Sequence, residues 1–207
     1  MKIVVFGASG KTGRLVVAQA VQRGDDVVAF VRDASKQWFP DAVKVVQGSP
    51  SDAHAVESAL VGADAVISAL GPVAEVTTTE ISDATRTIVG TMERTGPHRI
   101  VITTNPRVFS DTEVTGPYAN VAAEHRRDAA ILRGSALAWT VLAAPALRDD
   151  PATGSYVAVV DGKAPGCSTS RGNFAAALLD AVGTDAWVRH VVGVSDPPAR
   201  DDATPSA

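Results

Sequence analysis

Three glycines, each separated by two residues, mark the segment with the clearest chemistry: Phe6-Gly7-Ala8-Ser9-Gly10-Lys11-Thr12-Gly13-Arg14. It lies between an apolar run, Lys2–Phe6, and a stretch whose apolar residues recur at helical spacing. In such a strand-to-helix turn Gly7 makes the tight bend and Gly10 lets a pyrophosphate approach the backbone. Gly13 lets the helix pack closely on the strand. The free N–H groups and dipole at the helix start favour an anion, and Ser9, Lys11 and Thr12 add side-chain donors. The Gly-Lys-Ser/Thr ending of a P-loop is absent at its required spacing, so the pattern points to a dinucleotide.

The next apolar run ends Ala29-Phe30-Val31-Arg32-Asp33. The end of this second strand faces the adenosine ribose. Arg32 there would pair with a 2′-phosphate, for which a guanidinium is well shaped, and Lys36 would assist. This reading prefers NADP(H). A register shifted by one residue would put Asp33 on the ribose hydroxyls instead, which is the NAD(H) alternative.

A proton-transfer group is harder to find. Only Tyr118 and Tyr156 exist, and four residues after them stand Ala122 and Val160, so no Tyr-x-x-x-Lys pair is present. Tyr118, following Gly116-Pro117, reads as a pocket wall, as a packing residue at a helix start, or as a proton donor. His54, His98, His125 and His190 show no ligand spacing, so no metal site is expected; His125 reads as an exposed helix position or a residue reaching the substrate mouth. Cys167 reads as structural, and the charged run Glu124–Asp128 as a solvated helix face.

Elements must hold these groups in place. The runs Lys2–Phe6, Asp26–Val31, Val43–Val46, Asp64–Leu70, Arg99–Thr104, Ala138–Ala144 and Val188–Val194 are nearly continuous in apolar residues, as strands buried on both faces are. Helical patterns fall between them at Lys11–Arg23, Thr77–Arg94, Asn120–Arg133 and a late stripe of Phe174, Leu178, Leu179 and Val182, with shorter ones near Ala34–Phe39 and Asp52–Leu60. Thr77-Thr78-Thr79-Glu80 matches a capping box. Alternating strands and helices predict an α/β fold, a single doubly wound parallel sheet of Rossmann type with strand order 3-2-1-4-5-6-7. Residues 1–194 form one domain and 195–207 a mobile tail. Tyr156–Val160 would add a small strand over the mouth.

The 207 residues are 45% hydrophobic and 20% charged, and 19 basic against 23 acidic residues give a net charge of −4. A mildly acidic chain without a basic block is a poor nucleic-acid binder. One cysteine excludes an intrachain disulfide. The single Lys before a short apolar run broken at Gly7 is not a secretory signal, and no membrane span is evident. The expected place is the cytoplasm; oligomeric state is not legible.

In these stretches the sequence resembles the atypical short-chain dehydrogenase/reductase proteins that bind NAD(P)H. Within them it is most similar to the flavin reductase/biliverdin-IXβ reductase group. Phe6–Gly13 and Val31-Arg32-Asp33 carry the likeness, with Asp64–Gly71, Arg99–Thr104, Gly154-Ser155-Tyr156, Asp161-Gly162 and Ser170-Arg171. The resemblance implies Leu70, Gly71 and Pro72 against the adenosine, Thr103, Thr104 and Asn105 near the nicotinamide, and Pro145, Ala146 and Leu147 at its carboxamide. It also implies a substrate pocket between Asn105–Tyr118 and Ala146–Ser155. The chain departs from that group where Gly48-Ser49-Pro50 replaces Gly-Asp, with Asp52 following later. Asn105 stands where a serine is expected and Ala146 where a histidine is expected. Asn105 and Tyr118 remain the candidates for catalysis. The expected activity is an NADPH-dependent reductase passing hydride to a small flavin-like or quinonoid acceptor. The alternatives are a non-catalytic NADP(H)-sensing protein, and an epimerase, dehydratase or isomerase.

Overall fold

The computed structural model describes residues 1–36, 39–71, 78–110 and 114–198. The strands form where the apolar runs lie: β1 Lys2–Phe6, β2 Asp26–Val31, β3 Lys44–Gln47, β4 Ala65–Ser68, β5 Arg99–Thr104 and β6 Ala138–Ala143. Then come β7 Ala146–Arg148, β8 Val157–Val160, β9 Ser168–Ser170 and β10 His190–Ser195. Helices α1 Lys11–Gln22, α2 Ala53–Leu60, α3 Glu80–Thr95, α4 Ala119–Arg133 and α5 Arg171–Gly183 alternate with them.

The main sheet has the order β3-β2-β1-β4-β5-β6-β10-β8. The first seven are parallel, as the pattern predicts, with β10 as the seventh strand. β8 adds an antiparallel edge beyond β10, with Val192 opposite Val160. The Tyr156–Val160 segment therefore extends the sheet rather than covering the mouth. β7 and β9 pair separately as a small parallel ribbon.

Residues alternate across the buried strands and feed two cores. On one face Ile3, Val5, Ile67 and Val101 pack with Val16 and Val17 of α1 and Phe174 and Leu178 of α5. On the other face Val4, Phe6, Val66 and Ile100 pack with Val56 of α2, Ile88 and Met92 of α3, and Leu132 of α4. Each such side chain contributes roughly 1.5–3 kcal/mol by leaving water. From β1 the chain runs outward one way to β3, then returns to β4 on β1's other side. That reversal opens a crevice at the strands' C-terminal ends, where ligands of such sheets bind.

Two local expectations change. The segment near Ala34–Phe39 makes one 3-10 turn, Ala34–Lys36, and residues 37–38 lie outside the described ones, as does the side chain of Lys36. The expected tail does not begin at Ser195. Ser195 ends β10 fully buried, and the Asp196 carboxylate accepts from Ser170 N at 2.9 Å and Asn173 Nδ2 at 2.6 Å. Residues 199–207 lie outside the described ones. Among the described residues no helix is long and apolar enough to cross a membrane.

Candidate functional site

A cleft of about 580 Å³ lies at the reversal point. Gly7, Ser9 and Gly10 line it from the glycine turn, Phe30, Val31 and Arg32 from β2, and Ser49, Pro50 and Ser51 from the loop after β3. Ala69, Leu70 and Gly71 follow β4, and Thr78, Glu80, Ile81 and Ala84 form the wall contributed by α3 and the residues leading into it.

The glycines have steric reasons. Gly7 has φ 73°, and a Cβ there would stand 2.8 Å from the Ala69 carbonyl. A Cβ on Gly13 would run into the Gly7 carbonyl oxygen. Gly10 N donates to that same oxygen at 2.9 Å and caps α1 without a side-chain bond. The turn thus brings the positive end of α1 to the cleft, with no Cβ at Gly7 or Gly10 and Ser9 between them. Gly13→Ala is expected to lower the unfolding free energy by about 1–3 kcal/mol through overpacking. Urea unfolding checks this, and an unchanged midpoint would mean the turn relaxes freely.

The side-chain donors expected beside the glycines are arranged differently. Lys11 Nζ pairs with Asp149 Oδ2 at 2.7 Å, and Arg171 Nε donates to Asp149 Oδ1 at 2.5 Å. Hydrogen bonds from Lys11 and Arg171 hold the Asp149 carboxyl below its usual range. Thr12 is half-buried and, like Lys11, off the cleft lining.

Arg32 is exposed on the cleft and has no partner among the described residues. Asp33 is turned to local work: its Oδ1 accepts from Ser35 N at 3.0 Å and Ser35 Oγ at 2.7 Å. Asp52 likewise caps α2, accepting from His54 N at 2.9 Å. Arg32 is therefore the charge that β2 offers to a ligand, and neither Asp33 nor Asp52 is on the lining.

Leu70 and Gly71 are on the lining; Pro72 lies outside the described residues. Thr103 Oγ1 donates to Leu70 O at 3.3 Å and ties the ends of β4 and β5 together. Thr104 is buried, and its Oγ1 has no partner among the described residues. Asn105 Oδ1 accepts from Arg107 N at 3.0 Å and caps the 3-10 turn Pro106–Phe109. Its amide nitrogen is the end left to meet a ligand.

Tyr118 is 62% exposed, which removes the packing reading. Pro145 is half-buried. Ala146 and Leu147 lie in β7, paired with Ser168 and Thr169, and Leu147 packs against the α1–α5 core. None of Thr103, Thr104, Asn105, Tyr118 and Pro145–Leu147 lines the cleft. Tyr156 Oη donates to Asp180 Oδ2 at 2.7 Å, and burial with that carboxylate raises its pKa. This tyrosine fastens the loop before β8 to α5.

The charged run on α4 is the largest surprise: Glu124, His125 and Asp128 are buried, not solvated. Glu124 accepts from Ile81 N at 2.9 Å and Ser82 N at 3.0 Å, so it caps α3 from the neighbouring helix. The expected capping box is not what caps α3. Thr79 makes no cap bond, and Thr77 lies outside the described residues. Burial pushes the Glu124 carboxyl up, but hydrogen bonds from Ser82 and Arg127 outweigh it and leave it below the usual range. Burial pushes Asp128 up to about 7 and His125 down to about 4. Elsewhere His54 and His98 are exposed and His190 pairs with Asp161 at 2.7 Å. Cys167 is free and exposed rather than structural.

Sequence reading missed Phe30, the Ser49–Ser51 loop and the α3 wall of the cleft. The signal for α3 was present, since its first residues follow directly on the loop after β4 that was already assigned to the adenosine.

Comparison with known proteins places this geometry among relatives. A family described as NAD(P)H-binding matches residues 7–185. An uncharacterized protein of Mycobacterium tuberculosis is 36% identical over 111 residues, which are 52% of this chain. The match spans only 13% of that relative's length. Among solved structures, a short-chain dehydrogenase/reductase from Veillonella parvula in complex with NADP superposes with a TM-score of 0.80. It is 19% identical, with 100% of this chain and 99% of that one covered. An anaerobillin reductase from Escherichia coli O157:H7 gives a TM-score of 0.78 at 23% identity, with both chains fully covered (100% and 100%). At these identities the structures share the fold.

Proposed function

This chain belongs to the NAD(P)H-binding family, and we propose that within it the protein is an NADPH-dependent reductase acting on a small flavin-like or quinonoid acceptor. One observation carries the cofactor reading. The unobstructed glycine turn and the unpartnered Arg32 line the same cleft, at the spacing of a strand-to-helix turn and the neighbouring strand end. The glycine turn and the first-turn amides of α1 would take the pyrophosphate, and Arg32 a 2′-phosphate. The local capping by Asp33 favours NADP(H) over NAD(H).

Bound NADPH would supply the hydride, which is chemistry of the cofactor itself. The chain's part is to bind, orient and exclude water. Leu70 and Gly71 would lie against the adenosine. Thr103, Thr104 and Pro145–Leu147, at the ends of β5 and after β6, would border the nicotinamide. The free amide of Asn105 would donate to the acceptor or to the carboxamide. Exposed Tyr118 would be a wall of the acceptor site. A flavin or quinone acceptor takes its proton from water, so no acid from the chain is required.

The test is NADPH oxidation by the purified protein with FMN, riboflavin and small quinones, with NADH in parallel. Acceptor-dependent turnover favouring NADPH is the expected result. In Arg32→Ala, NADPH binding should weaken by about 1.5–3 kcal/mol, as for loss of a charge-assisted hydrogen bond, while NADH binding is unchanged. Equal loss for both cofactors would remove Arg32 from the 2′-phosphate. A second reading is an NADP(H) sensor, since Tyr118 and Asn105, the two candidates for catalysis, both lie off the described lining of the cleft. NADPH binding without turnover on any acceptor would select it.

A further inference from the structure

Among the described residues the cleft lining carries two charged side chains, and the cofactor reading uses only Arg32. The other is Glu80, the first residue of α3. Its side chain is exposed, and its carboxylate has no hydrogen-bond or ion-pair partner among the described residues. The neighbouring charges are already engaged: Arg86 Nη1 pairs with Asp83 Oδ1 at 2.5 Å, and Thr79 Oγ1 donates to Asp83 Oδ2 at 2.7 Å. Glu80 thus reaches the cleft uncommitted.

The surroundings narrow what it would meet. Phe30, Pro50, Ile81 and Ala84 give the same lining an apolar part, in which Phe30 and Ala84 are buried. A phosphate is excluded beside Glu80 by like charge. The remaining polar side chains on the described lining are the hydroxyls of Ser9, Ser49, Ser51 and Thr78. Hydroxyls donate or accept as required and so do not choose between an amino and an oxo group. An ionised carboxylate only accepts.

We propose that Glu80 reads the adenine of the bound cofactor, accepting a hydrogen bond from the exocyclic amine. With the carboxylate on the N7 side of that amine, away from N1, a hypoxanthine ring would be disfavoured, because its oxygen would face the carboxylate acceptor to acceptor. Glu80 is then the residue that gives the cleft its base specificity. This rests on the cofactor reading given above.

The test compares dissociation constants of the full chain for NADPH and for reduced nicotinamide hypoxanthine dinucleotide phosphate. Wild type should prefer NADPH by about tenfold, the scale of one charge-assisted hydrogen bond. In Glu80→Gln, whose amide serves either ring, and in Glu80→Ala, which serves neither, the ratio should fall to within about twofold. Any loss of helix-start electrostatics affects both ligands equally and cancels in the ratio. Equal binding of the two cofactors by wild type, or a preference that survives in Glu80→Ala, overturns the role of Glu80 and leaves the cofactor reading standing. Failure of wild type to bind either ligand overturns both.

Discussion

Glu124→Ala is expected to lower the unfolding free energy by about 3–5 kcal/mol, the range for removing one partner of a buried ion pair. The carboxylate is fully buried and has several donors at once. Ile81 N lies at 2.9 Å, Ser82 N and Ser82 Oγ at 3.0 Å, and Arg127 Nε at 2.8 Å, with Arg127 Nη2 also bonded. Alanine would orphan two α3 amides and leave a guanidinium beside a void. The Arg127 side chain is 36% exposed, so water recovers part of its loss and the lower end of the range is expected. The effect should reach the cleft, because the released end of α3 carries Ile81 and Ala84. NADPH affinity should therefore fall together with the urea midpoint. Since this carboxyl is held below its usual range, its contribution is present at neutral pH and lost as the solution is acidified through that lowered value. A wild-type midpoint in Glu124→Ala would show that α3 is anchored by other contacts.

Asp128→Asn should act in the opposite direction. Asp128 is 3% exposed, and burial pushes it up to about 7 from the usual 3.8. The Thr85 hydroxyl, Arg127 and Arg86 pull it down, whereas the nearby Glu124 adds to the rise. One of its oxygens has no partner among the described residues. The folded state holds this proton more tightly than the unfolded chain does. Stability conferred by the protonated group is full at acid pH, declines as pH rises from about 4 to about 7, and is constant above that. Asparagine keeps the shape and an acceptor for Thr85 but never ionises. It should therefore stabilise the protein by on the order of 2–4 kcal/mol at pH 8, with the advantage vanishing near pH 4. His125, lowered to about 4 by burial, has the reverse slope, losing stability as pH falls from 6.5. It is common to both proteins and largely drops out of their difference. Melting curves of the two chains across this pH range provide the check, and a gap independent of pH would refute the assignment.

Much of the architecture was legible because strands covered on both faces leave little choice of residue. Lys2–Phe6 and Arg99–Thr104 were bounded to the residue. The glycine turn was legible for the same reason: Gly7 and Gly13 occupy positions where a Cβ collides with backbone. The polar seam between α3 and α4 was not. Glu124, His125 and Asp128 look like surface residues when only their own helix is considered. The available clue was a deficit: the buried face of α4 holds only Ala122, Ala129 and Leu132 as apolar residues, too few to fill the space against α3. The partners that make burial tolerable, the Ile81 and Ser82 amides, lie more than forty residues away and leave no local trace. Likewise nothing local told that Ala146–Arg148 would leave the sheet to pair with Ser168–Ser170. Asp33, the acid that complicated the cofactor reading, is engaged by the turn beside it.

The placement of α5 bears on how far the chain can be divided. Every described residue lining the cleft falls before residue 85, which suggests a self-sufficient front half. Yet α5, from the other end of the chain, packs beside α1 against β4 and β5 and closes the core over Val5, Ile67 and Val101. Gln19 Nε2 donates to Gly172 O at 2.9 Å and Arg23 pairs with Asp180 at 2.8 Å across the same seam. A fragment ending before Arg171 would leave wet the part of that face that α5 covers beside α1, a loss of roughly 1.5–3 kcal/mol for each large apolar side chain uncovered. The segment that lines the cleft is thus not an autonomous folding unit, and its rigidity is borrowed from residues nearly a hundred positions downstream.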